Sequence, residues 1–252
     1  MPNHVINRLT FTCPEDRLKQ ILSEICYDQT SDKDRKGIGT IDFNKIIPMP
    51  ESLNIECGST TDAGIDLYLT SINPDVNYFG NEKLDRKQFF GIVERLHKLN
   101  RYSSYETYLP PDRIRAMTEY KPADELIRLG KTAIGNLLNY GALTWYDWRS
   151  NPDNWNTKWN SYEPFYDGGN SIEFQTAWDA PHPVIEKISQ MYTDVTITHD
   201  WANEDVYQSC GSRTYLDGEI IEEFIPETNT EQIAFAFELW GYDADEFEDI
   251  EF

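Results

Sequence analysis

Two stretches near opposite ends of the chain share one pattern: alternating residues followed closely by a helical repeat. Val5–Thr12 sets Val5, Asn7, Leu9 and Phe11 on one side and Ile6, Arg8 and Thr10 on the other, which predicts a strand. Pro14-Glu15-Asp16 then suits a first helical turn, and Leu18, Ile21, Leu22 and Ile25 recur at helical spacing. Ile172–Trp178 alternates likewise, with Ile172, Phe174, Thr176 and Trp178 on one face. Pro181 and Pro183 open a helix carrying Val184, Ile185, Ile188 and Met191. With strands expected near 143–160 and over Val195–Trp201, the order is β–α–insert–β–β–α–β. That order predicts an α+β fold: a ferredoxin-like split βαβ sheet with a mainly helical insert.

The insert reads as helical over Thr60–Ser71, Asp85–Leu99, Pro110–Met117 and Pro122–Tyr140, the last with a regular stripe of Leu126, Leu129, Ala133, Leu137 and Leu138. Ile41–Pro50 reads as extended, closed by Pro48 and Pro50. Tyr207–Ile225 predicts a hairpin turning at Asp217-Gly218, because Asp-Gly suits the left-handed backbone of a two-residue turn. Thr230–Trp240 predicts a final amphipathic helix. The expected organisation is residues 1–37 and 141–241 as the ferredoxin-like domain, 38–140 as the helical insert and 242–252 as an acidic tail.

Charge narrows the function classes. The chain has 252 residues and a net charge of −22, and 7 Trp, 15 Tyr and 12 Phe argue against disorder. The charge is uneven. Residues 1–150 carry a net of −2 and residues 151–252 a net of −20, with 13 acids and no base after Leu216. Such a surface repels phosphate backbones and anionic membranes. It favours basic protein surfaces and steers association with them. Solubility alone is the plainer explanation of the same composition.

Catalytic and metal chemistry find little footing. Cys13, Cys26, Cys57 and Cys210 lack metal-ligand or redox spacing. No N-terminal apolar stretch has the length of a signal peptide and none is long enough to span a bilayer, so reduced thiols in a cytoplasm are expected. His199, beside Asp200, would serve a metal or acid–base cluster, or would simply end a strand before an acidic loop. Trp145, Tyr146, Trp148, Trp155 and Trp159 fall within fifteen residues. They would line a ligand pocket or fill a core. Aromatic residues on such a sheet also suit RNA binding, but residues 151–252 hold only Lys158, Lys187 and Arg213 as bases. No catalytic residue, metal or cofactor is expected.

Several strings occur together: Met1-Pro2-Asn3-His4-Val5-Ile6-Asn7, Phe43-Asn44-Lys45-Ile46-Ile47-Pro48-Met49-Pro50, Trp155-Asn156-Thr157-Lys158-Trp159-Asn160 and Phe174-Gln175-Thr176-Ala177-Trp178. In this combination the chain resembles the YubB-type family of phage and plasmid proteins, whose C-terminal region is described as a ferredoxin-like domain. Asn156 departs from the pattern, where a small residue such as Gly is expected. The resemblance implies carriage on a mobile element and residence in a bacterial cytoplasm, and it implies no activity.

Together these readings predict a non-enzymatic protein that binds and inhibits or regulates a host protein with a basic surface, possible host-defence antagonism included, without direct contact to nucleic acid or membrane. The acids expected to carry that contact are Glu222, Glu223, Glu227, Asp243, Asp245, Glu246, Glu248, Asp249 and Glu251. An alternative is a small-molecule or nucleotide-binding protein, or a hydrolase, with an aromatic-lined pocket of Trp155, Lys158, Trp159, Trp178, His199 and Asp200. A third reading is a structural or assembly component of a phage.

Overall fold

A computed structural model describes residues 3–27, 40–77, 79, 83–99, 105–166, 168–206 and 208–242. Its strands are β1 (His4–Thr12), β2 (Tyr162–Phe165), β3 (Ser171–Ala177), β4 (Thr196–Asn203), β5 (Cys210–Leu216) and β6 (Glu219–Phe224). They form one sheet in the order β2-β3-β1-β4-β5-β6, with every pairing antiparallel. The inner order, 2-3-1-4, is that of the split βαβ unit, and β5–β6 extend the sheet beyond β4. The fold is α+β and ferredoxin-like, as its alternation pattern predicts.

Contacts divide the chain into two compact units, Met1–Pro48 with Arg149–Phe252, and Met49–Trp148. In the first unit, α1 (Glu15–Ile25), α2 (Phe43–Ile46) and α8 (His182–Met191) pack together, with α8 also against β4 and β5. Register puts Asn7 opposite Phe174 and Trp201, and Leu9 opposite Ile172 and His199, so these side chains share one sheet face. All are buried. The next residues along each strand point the other way. There α9 (Asn229–Trp240) packs Ala236 and Leu239 against Ile6, Ala202 and Cys210.

The second unit contains α3 (Ser59–Ile72), α4 (Arg86–Lys98), α5 (Pro111–Met117) and α6 (Ala123–Tyr140). Its core joins Ile65, Leu69 and Ile72 of α3, Phe89, Ile92 and Leu96 of α4, and Ala133, Ile134 and Leu137 of α6. Gly64 and Gly130 meet where α3 and α6 cross. A Cβ on Gly130 would overlap the Gly64 carbonyl, so only glycine permits this approach.

Two expectations fail. Ile41–Pro50 is not extended: Asp42 Oδ1 accepts from Asn44 N at 3.0 Å and starts α2, and a short 3₁₀ turn follows at Glu51–Leu53. The strand expected near 143–160 is absent. Trp145–Arg149 forms α7, begun by Asp147 Oδ2 accepting from Leu143 N and Thr144 N, and turns follow up to Ser161. Apolar density there reflects burial in turns and a short helix, which has no period of two. The strand lies later, at β2.

Candidate interaction surface

The β5–β6 hairpin turns at Asp217 and Gly218, both left-handed at φ 52° and 81°, the backbone that an Asp-Gly pair accepts at low cost. Gly218 N donates to Ser189 Oγ at 3.1 Å, fixing the turn to the last part of α8. Among the described residues, β6 is the outer strand and pairs only with β5. All six of its residues are exposed.

That exposure includes large apolar groups. Ile220, Ile221, Phe224 and the following Ile225 are 48, 57, 50 and 44% exposed. The pairing shifts between Thr214↔Glu222 and Tyr215↔Ile220, so Ile221 is an extra residue in β6 and forms a bulge. At Gly211 on β5, an added Cβ would come within 3 Å of Ile225, the Phe224 carbonyl and Trp201; glycine lets the end of β6 lie close against its neighbour.

Carboxylates are interspersed with these apolar groups. Glu222 stands opposite Thr214. Glu223 stands opposite Arg213 and accepts from its Nε at 2.7 Å. Glu227 follows in the loop to α9, where its N–H, with that of Thr228, donates to Glu231 Oε2 at 3.1 Å. Those hydrogen bonds hold the Glu231 carboxyl below its ordinary range and complete a reciprocal cap with Thr228. Asp243, Asp245, Glu246, Glu248, Asp249 and Glu251 lie outside the described residues. An exposed edge strand is open to further pairing, and charged side chains on it oppose pairing with a like-charged strand. Like charges on β6 therefore oppose its pairing with a second copy of itself.

The six residues expected to share a pocket are not brought together. Trp155 is buried, its Nε1 donating to the Ile47 carbonyl at 2.9 Å and its ring 5.7 Å from that of Phe43. His199 is buried beneath α8: Nε2 meets Asn7 Oδ1 at 3.0 Å, and its ring lies 5.4 Å from His182 and 5.3 Å from Trp201. Burial holds the His182 pKa down to about 4 and keeps that of His199 well below the ordinary histidine range. The Nδ1 atoms of both imidazoles are buried. Asp200 points to the opposite face, beside Arg8 and Glu238.

Lys158, Trp159 and Trp178 do assemble. Lys158 Nζ lies 5.0 Å from the Trp159 ring centre and 5.1 Å from that of Trp178, within cation–π range. Trp178 is 45% exposed and left-handed, at φ 79°. Its N–H donates to the Asn3 carbonyl at 2.8 Å, which secures this uncommon backbone. Asn156 is also left-handed, at φ 59°, which accounts for the expectation of glycine there; Asn tolerates that region better than most residues.

Residues 154–251 match the family model described as the ferredoxin-like domain in Api92-like protein. The match covers β2–β6, α8 and α9 within the ferredoxin-like unit. Among solved structures, the crystal structure of a protein api92 from Yersinia pseudotuberculosis is similar at 13% identity and a TM-score of 0.39, covering 90% of this chain and 99% of that one. No curated protein matches the chain. Among the described residues, no helix is long and apolar enough to cross a membrane, and no group of three or more His, Cys, Asp or Glu side chains could hold a metal ion.

Proposed function

We propose that the chain is a binding protein whose ferredoxin-like unit engages a basic partner protein through the β5–β6 hairpin and the acidic segment after it. The observation that supports this reading is that all six residues of β6 are exposed, with Ile220, Ile221 and Phe224 in the same strand as Glu219, Glu222 and Glu223. The apolar side chains offer contact area to bury, while the carboxylates steer the encounter and select its charge. In the setting that the resemblance to YubB-type phage and plasmid proteins implies, the partner is a host protein and binding inhibits or regulates it. Affinity capture from the host identifies the partner. Binding of that partner to the Glu222→Lys/Glu223→Lys/Glu227→Lys variant then tests the surface, which predicts a marked loss of affinity in a folded protein.

A second reading rests on Lys158 between Trp159 and Trp178, a cation flanked by two indoles of which Trp178 is well exposed. This arrangement would hold a planar anionic ligand. Quenching of Trp fluorescence by such a ligand, abolished in Trp178→Ala, tests it.

A further inference from the structure

In the second unit, an open groove of about 560 Å³ runs between α4 and α6, lined by Leu84, Lys87, Gln88, Gly91, Ile92, Arg95 and Leu138. Lys87, Gly91 and Arg95 are spaced i, i+4 and i+8, so they form one row along α4. At a rise of about 1.5 Å per residue, each cation stands roughly 6 Å along the axis from Gly91. A Cβ added at Gly91 would meet nothing within 4 Å, so glycine leaves a gap in the row. Ile92 belongs to the buried core below, and Leu138 is 43% exposed beside it.

The charges on α4 differ in their surroundings. Arg86 pairs with Asp75 at 2.6 Å and Lys98 with Glu94 at 2.9 Å. Lys87 and Arg95 have no carboxylate partner among the described residues, and no acid lines the groove. Arg95 donates only a long bond, 3.4 Å, to the Leu138 carbonyl. Residues 1–150 carry a net charge of only −2, and two cations without a carboxylate partner among the described residues make this apolar floor locally positive.

We propose that this groove receives an amphipathic helix from an acidic protein partner. One apolar side chain would fill the gap over Gly91, and a carboxylate one turn to either side would meet Lys87 and Arg95. The partner pattern is acid, apolar and acid at successive four-residue intervals. This is helix-in-groove recognition, with the apolar knob supplying contact and the flanking charges setting register.

The test uses the full-length, isotope-labelled chain and two alanine-based helical peptides. One carries Glu-Ala-Ala-Ala-Leu-Ala-Ala-Ala-Glu and the other has Lys in place of both Glu. The Glu peptide is expected to move the amide resonances of Lys87, Gly91 and Arg95 and to bind roughly tenfold more tightly than the Lys peptide at low salt. Gly91→Leu, an exposed change that favours the helix, should abolish binding with the fold intact. Lys87→Glu/Arg95→Glu should reverse the preference between the peptides. No resonance change, equal binding of both peptides, or wild-type binding by Gly91→Leu would overturn the proposal. Dodecanoate moving the same amides while neither peptide does would also overturn it, by assigning the groove to an anionic amphiphile.

Discussion

Arg213 donates from Nε to Glu223 Oε1 at 2.7 Å across the β5–β6 pair, while its guanidinium lies 5.3 Å from the Trp201 ring. One of the three bases in residues 151–252 is thus engaged within the sheet itself. The two contacts differ in weight. The ion pair is partly exposed on both sides and is worth at most about 1 kcal/mol, whereas the stacked guanidinium also covers a buried indole. Glu223→Gln should therefore change the unfolding free energy by less than about 1 kcal/mol, and Arg213→Ala should cost more, as read by chemical denaturation.

The crossing of α3 and α6 predicts a large effect from one methyl group. Gly130→Ala must push its Cβ into the Gly64 backbone, so the helices must separate or the second unit must loosen. The expected cost is about 1–3 kcal/mol or more, despite alanine's better helix propensity. Gly135→Ala in the same helix meets nothing within 4 Å and should be neutral or stabilising. Thermal unfolding of the two variants separates packing from propensity.

Buried His199 and the partly buried His182 predict acid sensitivity of the ferredoxin-like unit. His182 and His199, which face each other, Trp201 and Arg213, have folded pKa values below the ordinary value of 6.5, because burial disfavours the charged form. The unfolded chain therefore binds more protons as pH falls below 6.5. The stability present above that pH is lost progressively as pH falls toward the His182 value of about 4. Denaturation midpoints measured from pH 7 to pH 4 should decline over this window, and His182→Gln should flatten the decline.

Asp66 has the opposite sign. Burial raises its carboxyl to about 6, even though it accepts from Glu106 N at 2.8 Å. The folded state binds the extra proton, so ionising this group at neutral pH costs stability, and the penalty is relieved as pH falls below about 6. Asp66→Asn keeps an acceptor for Glu106 N and removes the charge. It should stabilise the second unit at pH 8, with the gain disappearing toward pH 4.

Much of the fold was legible because alternation and helical repeats report burial directly. Val5, Asn7, Leu9 and Phe11 are buried together, as the pattern of β1 requires, and Asp217-Gly218 forms its predicted turn. The strand expected near 143–160 fails because aromatic density signals burial without a period, and the side chain of Asp147 starts a helix there. The candidate site was less legible. Glu222 and Glu223 were recognisable as acids, but the exposure of Ile220, Ile221, Phe224 and Ile225 was not. The adjacent Ile220-Ile221, which breaks strict alternation, was the available signal, and it marks the bulge. Composition does not distinguish the buried Trp155 from the exposed Trp178, which lies just past the end of β3 with a left-handed backbone.

The salt dependence of partner binding tests the acidic surface most directly. With the captured host partner, affinity should fall as ionic strength rises, and Glu222→Lys/Glu223→Lys/Glu227→Lys should both weaken binding and flatten that dependence. An affinity that neither salt nor these substitutions change would contradict an acidic docking surface on β6.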